Sequence, residues 1–122
     1  MTATILVADD DPDILALVTL RLERDGYQVV SASSGTEALA LARERTPALA
    51  VLDVAMPGMT GVEVTRELRG NTATAAIRVL LLTARVQEAD VAAGMASGAD
   101  AYLKKPFSPQ NLRERVSALL AG

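Results

Sequence analysis

Five short apolar runs, each followed by a stretch of helical pattern, constrain this chain more than any other feature. They occupy residues 4–8 (TILVA), 28–31 (QVVS), 49–52 (LAVL), 79–82 (VLLL) and 101–103 (AYL). The runs at 4, 49 and 79 are apolar at nearly every position, as strands buried on both faces of a parallel sheet are. The intervening stretches carry helix signals. Residues 12–24 put Ile14, Leu17, Val18 and Leu22 on one face, behind an Asp11–Pro12 start. Ser34 with Glu37, and Thr60 with Glu63, have capping-box spacing. They predict helices over 35–45 and 61–69. A fourth helix is expected over 87–97, weakened by Gly94, and a fifth opens at Ser108–Pro109 with Leu112, Val116, Leu119 and Leu120 in one stripe. Apolar stripes of this kind read as core. Strand–helix alternation repeated five times predicts one α/β domain over residues 1–122, a parallel sheet with helices on both faces.

Composition removes several chemistries. The 122 residues contain no cysteine and no histidine, which excludes disulfides, thiolate and imidazole metal sites, and Ser–His or Cys–His catalysis. A net charge of −3 argues against direct nucleic-acid or membrane binding by this segment. No apolar stretch nears the roughly 20 residues of a membrane span, and the acidic N-terminal segment lacks the basic start of a signal peptide. A cytoplasmic setting is expected.

In an open parallel sheet, ligands bind beyond the carboxyl ends of the strands. There the first run delivers Asp9, Asp10 and Asp11, the third Asp53, the fourth Thr83 and the fifth Lys104–Lys105–Pro106, these two being the only lysines. Asp11 reads as a helix cap and Asp13 as first-turn charge. Asp9, Asp10 and Asp53 would repel one another if close. A magnesium ion relieves that, accepting carboxylates, waters and a phosphate. Such an ion, with a lysine ammonium and a threonine hydroxyl around a carboxylate, suits in-line phosphoryl transfer to the carboxylate itself. Neither G-x-x-x-x-G-K-[ST] nor G-x-G-x-x-G is present, so the donor is expected to be another protein or a small acyl phosphate.

The blocks ILVADDDPDI, VLDVAMPGMTG, LLLTA and GADAYLKKPFS, in this order and spacing, resemble the receiver domain of two-component response regulators over essentially the whole chain. The resemblance implies a flavodoxin-like, doubly wound (βα)5 domain with a five-stranded parallel sheet of order 2-1-3-4-5 flanked by five helices. It implies Asp53 as phosphoacceptor, and Mg2+ held by Asp10, Asp53 and the backbone carbonyl of Ala55, with Asp9 acting through a metal-bound water. Thr83 would hydrogen-bond the attached phosphoryl group, and Lys105, before a cis Lys105–Pro106 bond, would pair with it. Tyr102 would be an aromatic switch that follows Thr83. The function implied is a phosphorylation-activated signalling switch rather than an enzyme. Its donor would be a histidine kinase or phosphotransfer protein. Its output would be a downstream protein or fused effector domain, engaged on the face of the fourth helix, fifth strand and fifth helix, or a phosphorylation-dependent homodimer. Ala55 and Arg85 stand where the family tunes dephosphorylation. Asp90 and Arg115 match the charged dimer face of its DNA-binding branch, whereas Val91, Ala96 and Ala101 depart from it. A second reading from another class is a haloacid-dehalogenase-like phosphatase using Asp9 as nucleophile and Asp11 as acid/base. Pro12, where small flexible residues are usual, and the short chain weigh against it.

Overall fold

A computed structural model describes residues 2–84 and 88–121, without the side chains of residues 88–90. The elements run β1 (Thr4–Ala8), α1 (Pro12–Arg24), β2 (Gln28–Ala32), α2 (Gly35–Arg45), β3 (Leu49–Asp53), α3 (Gly61–Arg69), β4 (Arg78–Thr83), α4 (Glu88–Ala96), β5 (Ala101–Lys104) and α5 (Pro109–Ala121). The strands form one parallel sheet of order β2-β1-β3-β4-β5. The three uninterrupted apolar runs are therefore its interior strands, and the mixed runs, β2 and β5, its edges.

Alternation along the strands sorts the core into two layers. Ile5, Val7, Leu49, Val51, Leu80 and Leu82 face Val18 and Leu22 of α1 and Leu112 and Val116 of α5. Leu6, Ala8, Ala50, Leu52, Val79 and Leu81 face Ala38, Leu39 and Ala42 of α2 and Val64 and Leu68 of α3. The helix starts follow local chemistry. Asp11 accepts the N–H groups of Asp13 and Ile14, and Pro12 occupies the first helical position. Thr60 and Glu63 form a complete capping box on α3. At α2, Ser34 accepts the Glu37 N–H, but the Glu37 carboxylate reaches back to the Ser33 N–H rather than that of Ser34. The expected fourth helix begins at Glu88; Gln87 lies outside the described residues. No helix among the described residues is long and apolar enough to cross a membrane.

Candidate functional site

The carboxyl ends of β1, β3, β4 and β5 converge, and the residues leaving them build the site. Asp9 extends β1 by donating its N–H to the Ala32 carbonyl (3.2 Å). It is fully buried, and one of its carboxylate oxygens accepts the Asp11 N–H (2.9 Å). Asp53, the last residue of β3, is 5 % exposed. Asp10 is exposed, and one carboxylate oxygen from each of Asp9, Asp10 and Asp53 lies within 4.8 Å of the others. Thr83 closes β4, and its carbonyl accepts the Lys105 N–H (2.7 Å), which fixes the lysine backbone beside it. The Lys105 ammonium lies 2.8 Å from Asp9 and 3.3 Å from Asp53. The Lys105–Pro106 bond is cis.

These contacts set the electrostatics. Burial, then the Asp9 charge, push the Asp53 carboxyl up to about 6; a hydrogen bond with Asp10 adds to this, and Lys105 opposes it. Burial alone would lower the Lys105 ammonium, but its hydrogen bond to Asp9 and the charges of Asp53 and Asp9 raise it above its ordinary value. Asp53 is thus a buried carboxylate whose charge is only partly compensated, and the cluster of Asp9, Asp10 and Asp53 sets three carboxyl groups against the Lys105 ammonium. That donor set fits a hard divalent cation, which prefers oxygen ligands and retains waters.

The rim opens into a cleft of about 680 Å³. Besides the acids, Thr83, half-buried Tyr102 and the apolar side chains of Val62, Val91 and Met95 line it. Tyr102 packs on the same core layer as Leu81. Ala55 is exposed and donates its N–H to Asp53 (3.4 Å). Asp9, Asp10, Asp53, Thr83 and Lys105, expected at one rim, are thus brought together. Arg85 and the side chain of Asp90 lie outside the described residues. Of the other output-face positions, Val91 and Ala101 are half-buried, and Ala96 and Arg115 are exposed.

The phosphatase reading fails on this geometry. One Asp11 carboxylate oxygen caps α1 through the Asp13 and Ile14 N–H groups, and the Asp9 carboxylate is fully buried and paired with Lys105, so neither is placed as that reading requires. Sequence reasoning missed the glycines that let the site close. A Cβ on Gly61 would lie 2.4 Å from the Asp53 carbonyl oxygen, and one on Gly35 only 1.9 Å from that of Met59. The available signal was glycine at the first position of two helices, where helix propensity disfavours it.

Comparison with known proteins agrees with this arrangement. A family model described as the response regulator receiver domain matches residues 5–117. The alkaline phosphatase synthesis transcriptional regulatory protein PhoP of Bacillus subtilis is 45 % identical over 98 % of the chain, which spans 49 % of PhoP. Protein PilH of Pseudomonas aeruginosa is 39 % identical over 98 % of the chain and 99 % of its own length. The high-resolution structure of the chemotaxis response regulator CheY4 of Vibrio cholerae superposes with a TM-score of 0.92 at 33 % identity, covering 98 % of this chain and 99 % of that one. The chain thus spans about half the length of PhoP and nearly all of PilH. It belongs to the receiver domains of two-component response regulators, a family of signalling domains phosphorylated on aspartate.

Proposed function

We propose that Asp53 is the phosphoacceptor of this receiver and that the domain spans residues 1–122. The observation that carries the reading is the Lys105 ammonium bridging Asp9 and Asp53 at the carboxyl end of the central strand. In the transfer, an Asp53 carboxylate oxygen attacks phosphorus, and the bond from phosphorus to the donor's nitrogen or acyl oxygen breaks. The donor nitrogen belongs to a histidine of a kinase or phosphotransfer protein, because this chain has no histidine. Asp10, Asp53 and the Ala55 carbonyl would hold Mg2+, with Asp9 acting through water. The ion supplies positive charge to the phosphoryl oxygens. Lys105 shifts part of its pairing from Asp53 to the new phosphoryl oxygens, and the Thr83 hydroxyl donates to one of them.

The output reading follows from neighbourhood. Thr83 and Tyr102 lie on β4 and β5 and line the cleft with Val91 and Met95 of α4, so movement at Thr83 reaches the α4–β5–α5 face. That face is proposed to engage a downstream protein, a fused effector domain or a second copy through apolar contact, in a cytoplasmic setting.

Incubation with magnesium and a small acyl phosphate should add one phosphoryl group, mapped to Asp53 by borohydride reduction and mass spectrometry. Labelling of Asp53→Asn at the wild-type rate would remove the assignment.

A further inference from the structure

We propose that Gly35 is a positioning residue for the divalent cation: having no side chain, it lets the first turn of α2 seat against the loop carrying the Ala55 carbonyl. The inference rests on the metal-binding reading of Asp10, Asp53 and Ala55 given above.

The loop between β3 and α3, residues 54–60, is held at its two ends and braced in the middle. At its ends, the Gly61 N–H donates to the Val54 carbonyl (3.0 Å), and the missing Gly61 side chain leaves room for the Asp53 carbonyl. In its middle, the Met59 N–H donates to the Pro57 carbonyl (3.0 Å), and the Gly35 N–H approaches the same oxygen at 3.4 Å. A Cβ on Gly35 would lie 1.9 Å from the Met59 carbonyl oxygen, 2.6 Å from its carbon and 2.8 Å from its Cβ. The first two are backbone atoms, so no rotamer relieves the clash. A second contact repeats the pattern from the loop side. Gly58 has φ +80°, and a Cβ there would lie 2.7 Å from the Thr36 hydroxyl oxygen.

Which partner yields decides the consequence. α2 is anchored by Ala38, Leu39 and Ala42, all buried against the sheet. Asp53 is fixed in the register of β3 beside β4. Ala55, Pro57 and Gly58 are exposed, and Met56 between them is buried in the core layer that α2 covers. A side chain at position 35 therefore shifts the exposed backbone on either side of Met56 and leaves the carboxylates in place. Among the proposed ligands, the Ala55 carbonyl is the one that moves. Outer contacts that orient metal ligands are commonly worth about tenfold or more in metal affinity.

The test is a titration of the whole chain with Mn2+, followed by electron paramagnetic resonance, and with Mg2+ by calorimetry, alongside thermal melts in EDTA. Wild type is compared with Gly35→Ala and Gly98→Ala. Gly98 lies at the opposite end of the sheet, with φ +104° and a Cβ position 2.7 Å from Arg69 Cγ, so its replacement strains the fold away from the loop. Gly35→Ala should bind both ions about tenfold more weakly. Its extent of phosphorylation should return to that of wild type at saturating Mg2+. Gly98→Ala should melt earlier than wild type with unchanged affinity. Should Gly35→Ala fail to fold in EDTA, Gly58→Ala crowds the first turn of α2 from the loop side, at Thr36, and should also weaken binding. Wild-type affinity in whichever of these two variants folds, or an equal loss in Gly98→Ala, overturns the positioning role alone. Absence of Mn2+ binding by the wild-type chain overturns the metal-site reading beneath it.

Discussion

Asp53 carries a charge that its surroundings only partly accommodate, and this has a measurable consequence without any ion. Its carboxyl titrates near 6 in the fold against 3.8 in an ordinary setting. Between those values the folded chain holds a proton that the unfolded chain has released. Stability contributed by this group is complete below about 3.8 and is lost as pH rises through about 6, on the order of 2–3 kcal/mol at one unit per 1.36 kcal/mol. Asp53→Asn cannot titrate. Its stability in EDTA relative to wild type should therefore rise between pH 4 and pH 7 and then level off. Urea melts at the two pH values check this; a difference that does not change with pH contradicts the buried-charge account. Ala55 bears on the opposite step. Its methyl group offers nothing to orient a water for attack on the aspartyl phosphate, so Ala55→Asn should shorten the lifetime of the phosphorylated protein several-fold. Following loss of the phosphoryl group after donor removal measures it, and an unchanged or longer lifetime counts against the idea.

At the scale of elements, what the sequence made legible was what depends on near neighbours. Asp11–Pro12, Thr60 with Glu63, and Ser108, whose hydroxyl accepts the Asn111 N–H, all start helices where expected. The continuous apolar strands proved to be interior ones because burial on both faces leaves no position for a polar side chain. The rim positions were legible from topology, since parallel strands deliver their ends to one edge. What stayed hidden depends on distant partners: the Lys105–Asp9 pair joins residues 96 positions apart, and Gly35 meets a loop more than twenty residues downstream. Gly94 shows the same limit. In sequence it reads as a weak point of α4, yet it is buried, and a Cβ there would lie 3.1 Å from Leu81 Cδ1. The glycine is the surface by which α4 rests on β4. Gly94→Ala trades a helix-propensity gain of up to about 1 kcal/mol against that tight contact and should be close to neutral. Gly94→Val overfills it and should cost about 1–3 kcal/mol. Equal melting temperatures for the valine and alanine variants would show that α4 does not depend on this contact.

At the scale of the molecule, the sheet has one end built for change and one built to stay. At the end away from the acids, Asp100 accepts the Val79 N–H (2.8 Å), pairs with Arg69 (2.9 Å) and lies 3.8 Å from Arg78. The Arg69 guanidinium also donates to the carbonyls of Ala75, Ile77 and Gly98. The Ser97 hydroxyl donates to the Gly94 carbonyl. The C-terminal end of α4 and the turn after it are thus tied to α3 and β4 by part-buried polar contacts. Nothing comparable holds the rest of α4 among its described residues, where Gly94 alone is buried and Met95 is 40 % exposed. With one buried residue among the six whose side chains are described, residues 91–96 belong to the low-stability part of a fold. A phosphoryl group can shift populations only through contacts that differ between two states, and the proposed ones begin at Thr83, which precedes α4 in the chain. Activation should therefore swing α4 about its C-terminal end rather than translate it. Hydrogen exchange of the beryllofluoride-treated protein should change most at residues 88–93 and in β5 around Tyr102. It should change least at residues 97–100. Asp100→Ala removes the anchor and should spread the change through 97–100 while leaving phosphorylation of Asp53 intact. A uniform change along α4 in the wild-type protein, or one confined to 97–100, would rule out the pivot.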